Sequence, residues 1–87
     1  MPGIARVGLD TAGGTILGGG QSTVYVNNRL AAVIGDAVAG HGIGVHAGPT
    51  MEEGSSDVFA ENIGVCRAGD AASCGDVATG SSDTLAN

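Results

Sequence analysis

Four side chains in this sequence are suited to binding a soft or borderline metal ion: His41, His46, Cys66 and Cys74. They are its only histidines and cysteines. Two nitrogens and two sulfurs suit a tetrahedral zinc ion, with iron as the second candidate. His41 and His46 lie in Gly40-His41-Gly42-Ile43-Gly44-Val45-His46-Ala47-Gly48-Pro49. The glycines of that segment let the chain bend sharply enough to aim two imidazoles at one point. The plain alternatives are two exposed loop histidines and an inert buried thiol at Cys66. A Cys66–Cys74 disulfide is another staple, and it needs an oxidising compartment. The Cys-x7-Cys spacing matches no common zinc-finger pattern.

Catalytic patterns are not found. Ser22, Ser56 and Ser82 recur at equivalent repeat positions, which points to architecture. No serine or cysteine sits in a known nucleophile motif. Gly18-Gly19-Gly20 has no following lysine to make a phosphate loop. Glu52-Glu53 reads as a solvated loop rather than an acid–base pair beside a metal.

The elements that must position these groups come in a repeat. Arg6-Val7-Gly8-Leu9-Asp10, Val33-Ile34-Gly35-Asp36 and Arg67-Ala68-Gly69-Asp70 form one signature. It alternates with a second, begun by Gly20-Gln21-Ser22, Gly54-Ser55-Ser56 and Gly80-Ser81-Ser82. From glycine to glycine the first is spaced by 27 residues (35 − 8) and 34 (69 − 35), and the second by 34 (54 − 20) and 26 (80 − 54). A unit of 26–27 residues therefore occurs three times, lengthened in its middle copy. Approximate bounds are 4–27, 31–62 and 65–87, within a single domain of residues 1–87.

Each unit reads as a hairpin. Ser22 to Val26 alternates polar and apolar residues as a half-buried strand does. Asn27-Asn28 suits a two-residue turn, and Arg29 to Ile34 supplies the return strand. Ala31 to Ala39 comes nearest to a helical period, but Gly35 interrupts it. Ile4-Ala5-Arg6-Val7-Gly8 matches the return strand Ala31-Ala32-Val33-Ile34-Gly35, while Thr84 to Asn87 matches an outgoing strand. Pairing of the two ends would close a third hairpin and remove the exposed edges.

Composition fits this picture. The chain has 87 residues, 17 glycines, one Tyr, one Phe and no Trp, so its core is thin. Chains this short usually need a metal, disulfides or a partner. A net charge of −6 with no lysine argues against nucleic acid and anionic membranes as targets. No apolar run reaches the roughly 20 residues of a membrane span. Met1-Pro2-Gly3-Ile4 does not read as a signal peptide.

The string Ser22-Thr23-Val24-Tyr25-Val26-Asn27, its small-residue return strand and the Gly-Asp turn, three times in alternating phase, resemble the PAAR-repeat proteins. The resemblance runs from Ile4 to Asn87. It implies an all-β cone of three hairpins about a pseudo-threefold axis. It further implies a structural, non-enzymatic role: capping and sharpening the trimeric β-helical spike of a contractile injection machine. The expected partner is the C-terminal end of that spike, one tip per trimer. The outgoing strands Val24–Val26, Val58–Ala60 and Thr84–Ala86 are candidate docking segments. Contact with the target membrane would be mechanical only.

The implied location is a phage tail tip or a bacterial secretion machine, assembled in the cytoplasm, with the bare chain favouring a phage. The alternative role is a non-covalent adaptor for effector cargo, and a small zinc hydrolase is a more distant third. The family's metal is usually held by three histidines and one cysteine. His41 and His46 match its long histidine-bearing unit, and Cys74 matches its cysteine after a Gly-Asp turn. The remaining histidine has no counterpart, because Gly13 stands there in Thr11-Ala12-Gly13-Gly14. Cys66, Asp10, Asp76 or a water completes the set, or no metal binds. Cys66 aligns with Ala5 and Ala32, positions of small core packing.

Overall fold

Asn27 and Asn28 both take left-handed backbone angles, φ 52° and 66°. Such angles are what a two-residue type I′ turn demands, and asparagine tolerates them. The turn folds β3 (Tyr25–Val26) onto β4 (Arg29–Leu30), with Tyr25 opposite Leu30 and Val26 opposite Arg29. Glu61 and Asn62 repeat the turn at φ 51° and 67° between β6 (Phe59–Ala60) and β7 (Ile63–Gly64). The third hairpin is built from the two ends of the chain. Gly3 pairs antiparallel with Leu85, the Ile4 N–H donates to the Thr84 carbonyl at 2.8 Å, and Ala86 N–H donates to Pro2 at 3.0 Å. The structure, a computed structural model, describes residues 1–87.

The outgoing strands are shorter than the alternation of Ser22 to Val26 predicts. Side chains at their starts capture the backbone before it can extend. Gln21 Oε1 accepts from the N–H groups of Thr23 and Val24 at 2.9 and 2.8 Å. Ser55 Oγ does the same for Asp57 and Val58, and Ser81 Oγ for Asp83 and Thr84. Local side-chain acceptors thus turn the chain where periodicity alone reads strand. All three capturing residues are buried.

The return segments leave their own hairpins and join one another. Ile4 bridges Arg67, Arg6 bridges Ala31, and Val33 bridges Val65. Between these bridges the equivalent residues Ala5, Ala32 and Cys66 close a ring. Ala32 N–H donates to Ala5 O at 2.9 Å, Cys66 N–H to Ala32 O at 2.8 Å, and Ala5 N–H to Cys66 O at 2.9 Å. This ring is the pseudo-threefold axis in backbone form. Of 40 backbone–backbone hydrogen bonds, 33 lie outside the regular strands, so cross-links of this kind carry the fold.

Asp10, Asp36 and Asp70 brace the ring from equivalent turns. Their Oδ2 atoms accept from the N–H groups of Arg6, Val33 and Arg67 at 2.8, 2.9 and 2.8 Å. Arg6 and Arg67 return ion pairs to Asp10 and Asp70. The middle unit has Val33 instead of arginine, so no cation meets Asp36 there. Burial pushes its carboxyl up, against the backbone donors Val33 and Gly20.

The core has two layers. One contains Ile4, Val26, Ala31, Val33, Ala60, Val65 and Ala86, with the hairpin residues Val58 and Ile63 packed on it. The other contains the ring residues Ala5, Ala32 and Cys66 with Ala12, Ile16, Val38, Met51, Ala72 and Ala78, and Cys74 packs on it. The hairpin residues therefore pack on one layer and Cys74 on the other, in a body 32 × 23 × 20 Å in extent. No helix of the structure is long and apolar enough to cross a membrane.

Candidate metal centre

Beyond the bracing aspartates, each unit sends one loop to the end of the molecule where Cys74 lies. The first is the tight turn at Gly13 (φ 84°) between β1 (Thr11–Ala12) and β2 (Gly14–Gly18). The strand β2 also pairs with β5 (Ala37–Val38), which leads into the long middle loop. That loop is closed at its neck by pairing of Ala37 with Thr50. Its interior contains a 3-10 turn, Gly44–His46, and the His41 N–H donates to the His46 carbonyl at 2.9 Å. The third loop runs between the bridged residues Ala71 and Val77. It tightens at Gly75 (φ 91°), whose N–H donates to Ala72 O at 2.9 Å. Ser73 ties it to the middle loop, donating its N–H to Thr50 O at 2.8 Å.

These loops bring His41, His46, Cys74 and Asp76 together, their donor atoms all within 4.8 Å of one another. His41 Nε2 lies 3.0 Å from His46 Nδ1, 2.8 Å from Asp76 Oδ2 and 3.7 Å from Cys74 Sγ. Asp76 Oδ2 lies 3.5 Å from Cys74 Sγ and 3.4 Å from His46 Nδ1. Donors around a tetrahedral ion, at about 2.0–2.1 Å for N and O and 2.3 Å for S, stand roughly 3.3–3.6 Å apart. Five of the six separations lie at 2.8–3.7 Å, on both sides of that range, within a cluster 4.8 Å across, so the four residues could hold a single cation. The imidazole planes meet at 62°, which converges their ring nitrogens rather than stacking their faces.

A second contact fixes the chemistry of His41. Its Nδ1 lies 3.0 Å from the Ala39 carbonyl, which can only accept. With the proton on Nδ1, the Nε2 lone pair is directed at the other three donors, as metal-bound histidines are commonly arranged. The Ala39 carbonyl and the Asp76 carboxylate hold the His41 pKa above its ordinary value. In turn His41, followed by the Cys74 thiol and the charge of His46, holds Asp76 below the usual carboxylate range despite partial desolvation. Four electron-pair donors facing one point repel unless a cation or protons lie between them, and the half-buried setting strengthens that demand.

Cys66 is not among these donors. It is fully buried in the backbone ring with Ala5 and Ala32, and burial pushes its thiol up to about 12. Its place as the third ring residue explains the requirement for a small side chain. Both cysteines are free, so no disulfide joins them. Asp10 is also committed elsewhere, to Arg6 and to the Thr79 hydroxyl at 2.7 Å. Asp76, one of several options from the sequence, is the residue that meets the other three. The available signal is its place two residues after Cys74, across a glycine able to form the turn.

No curated protein matches the sequence. A family model described as the PAAR motif matches residues 9–80, covering all three converging loops and both complete hairpins. With most of its 87 residues matched and its hairpins arranged about a threefold ring, the chain belongs to the PAAR-motif family.

Proposed function

We propose that this protein is the tip of the spike of a contractile injection machine, a structural part that caps a trimeric β-helical spike. One observation carries the reading. The outgoing strands expose Tyr25, Phe59 and Leu85, at 61%, 55% and 44% of their surface, from equivalent positions of the three hairpins. Large apolar side chains repeated about an axis suit a partner with the same symmetry. A single chain with an internal threefold thereby matches three identical spike chains, one tip to a trimer. These residues lie toward the hairpin end of the core, away from the metal centre.

The opposite end is stapled. His41, His46 and Cys74 are the proposed zinc ligands, joining the middle loop to the 71–77 turn. Zinc, when bound, supplies cohesion, and structural sites contribute on the order of 10 kcal/mol to folding. The chain's own residues do the rest: Ala39 orients His41, Thr50 and Ser73 lock the two loops, and the core layer containing Ala72 and Ala78 packs against Cys74. Such a body is the single domain of three units, 4–27, 31–62 and 65–87. The proposed location is a phage tail tip or a bacterial injection machine, with mechanical contact to the target membrane during contraction.

The test mixes the chain with a trimeric spike C-terminal fragment and measures mass and affinity. A complex of one tip to three spike chains is expected. Changing Tyr25, Phe59 and Leu85 together to serine should abolish it without lowering the melting temperature. No complex at micromolar concentration overturns the reading.

A further inference from the structure

We propose that Asp76 is the fourth ligand of the metal centre, and that Gly13 is the position that makes room for it. The inference rests on the metal-stapled reading above and names the ligand set as two histidines, one cysteine and one aspartate.

The argument starts at Gly13. A Cβ built on it would overlap both Asp76 Oδ2 and His41 Nε2, and would stand 2.8 Å from His41 Cε1. Position 13 thus faces the donor cluster, where the PAAR resemblance expects a histidine. A side chain at 13 and the Asp76 carboxylate compete for the same volume. The sequence has glycine at one place and a carboxylate at the other. Gly14 matters for a related reason: a Cβ there would overlap the Ala39 carbonyl, the group that orients His41.

The placement of Asp76 is not a chance surface contact. A single oxygen, Oδ2, approaches all three other donors, at 2.8, 3.4 and 3.5 Å. The turn that delivers it is closed by Ala72 N–H donating to the Asp76 carbonyl at 2.9 Å. Cys74 and Asp76 therefore arrive on one rigid turn, His41 and His46 on one loop.

Charge supports the same assignment. A thiolate and a carboxylate neutralise a divalent cation, whereas three imidazoles and a thiolate would leave one positive charge. The ion class is therefore a divalent, borderline metal, with zinc favoured by the mixed N, S and O donors. A monovalent copper ion would leave the site negative in a protein already at −6.

The experiment uses the full chain alone, loaded with Zn²⁺ or Co²⁺, so its outcome does not depend on any spike. Affinity is read by chelator competition and the ligand field by the visible Co²⁺ spectrum. Asp76→Ala is expected to weaken binding about 100-fold and shift the d–d bands, while the sulfur charge-transfer band from Cys74 persists. Asp76→Asn, which preserves shape, should weaken binding at least about 10-fold. Wild-type affinity and an unchanged spectrum in Asp76→Asn overturn the proposal. Gly13→Ala, whose Cβ would overlap both Asp76 Oδ2 and His41 Nε2 at a left-handed φ of 84°, should also weaken binding at least about 10-fold. Wild-type affinity in Gly13→Ala overturns the claim that position 13 must stay clear for the ligand set.

Discussion

Replacing the two cysteines one at a time separates the ring from the metal centre. Cys66→Ala restores three alanines around the axis and leaves every backbone bond of the ring available. It removes one buried sulfur from a layer in which the cysteine is fully covered. The lost transfer energy of a methylene-sized group plus a small cavity comes to about 1 kcal/mol. For a chain this short, that lowers the melting temperature by about 4–8 °C. Cys74→Ala removes a proposed ligand. If the metal contributes on the order of 10 kcal/mol through four ligands, one of them carries about 2–3 kcal/mol, or roughly 100-fold in affinity. Metal content by mass after dialysis, with a thermal melt in parallel, distinguishes the variants. Cys66→Ala should retain one equivalent of metal, and Cys74→Ala should lose it. Thiol titration adds a check, since a thiol pushed up to about 12 by burial does not react until the chain unfolds. Loss of metal from Cys66→Ala, or its full retention in Cys74→Ala, would refute the assignment.

The closing of the terminal hairpin can be tested at glycines. A Cβ on Gly3 would overlap the backbone carbonyl of Ser81, whereas one on Gly48 meets nothing within 4 Å and needs no left-handed angle. Gly3→Ala should cost about 2–3 kcal/mol and Gly48→Ala should be neutral or gain about 0.5 kcal/mol, read by denaturant midpoints. The bracing turns predict a pH dependence. Burial pushes the Asp10 carboxyl up, but Arg6 and the Thr79 hydroxyl outweigh it and hold it below its ordinary 3.8. Its stabilisation is therefore complete above that value and disappears as the pH falls through the lowered one. Wild type should exceed Asp10→Asn by about 2 kcal/mol near neutral pH, and the gap should narrow below pH ~4. A gap that stays constant down to pH 2 contradicts the sign.

Much of this architecture is legible in the sequence because it is written three times. The Gly-Asp signatures fall on the bracing turns, and the asparagine pair gives the left-handed turn. Alignment of Cys66 with Ala5 and Ala32 identifies a packing position before any coordinates. What periodicity misses is non-local. That the return strands bond each other in a cycle depends on Ile4, Ala31 and Val65 meeting residues of another unit. The early capture of the outgoing strands by Gln21, Ser55 and Ser81 is masked by the alternation that follows them. At the metal centre, three donors follow from residue type and resemblance. Asp76 does not stand out among nine acidic residues until the turn at Gly75 folds it inward.

The backbone ring has a consequence for time rather than for depth of stability. Its three bonds join residues separated by 27, 34 and 61 positions (Ala5–Ala32, Ala32–Cys66, Ala5–Cys66). None can be completed as part of the cycle until every unit has arrived, so closure comes late in folding and the approach is slow. The reverse holds as well. A cycle has no end bond from which to peel, and breaking it requires separating units that are also held by their bridges. Contacts made after the transition state act mainly on the unfolding rate. For the spike tip proposed above, loaded abruptly during contraction, that rate would set survival under force.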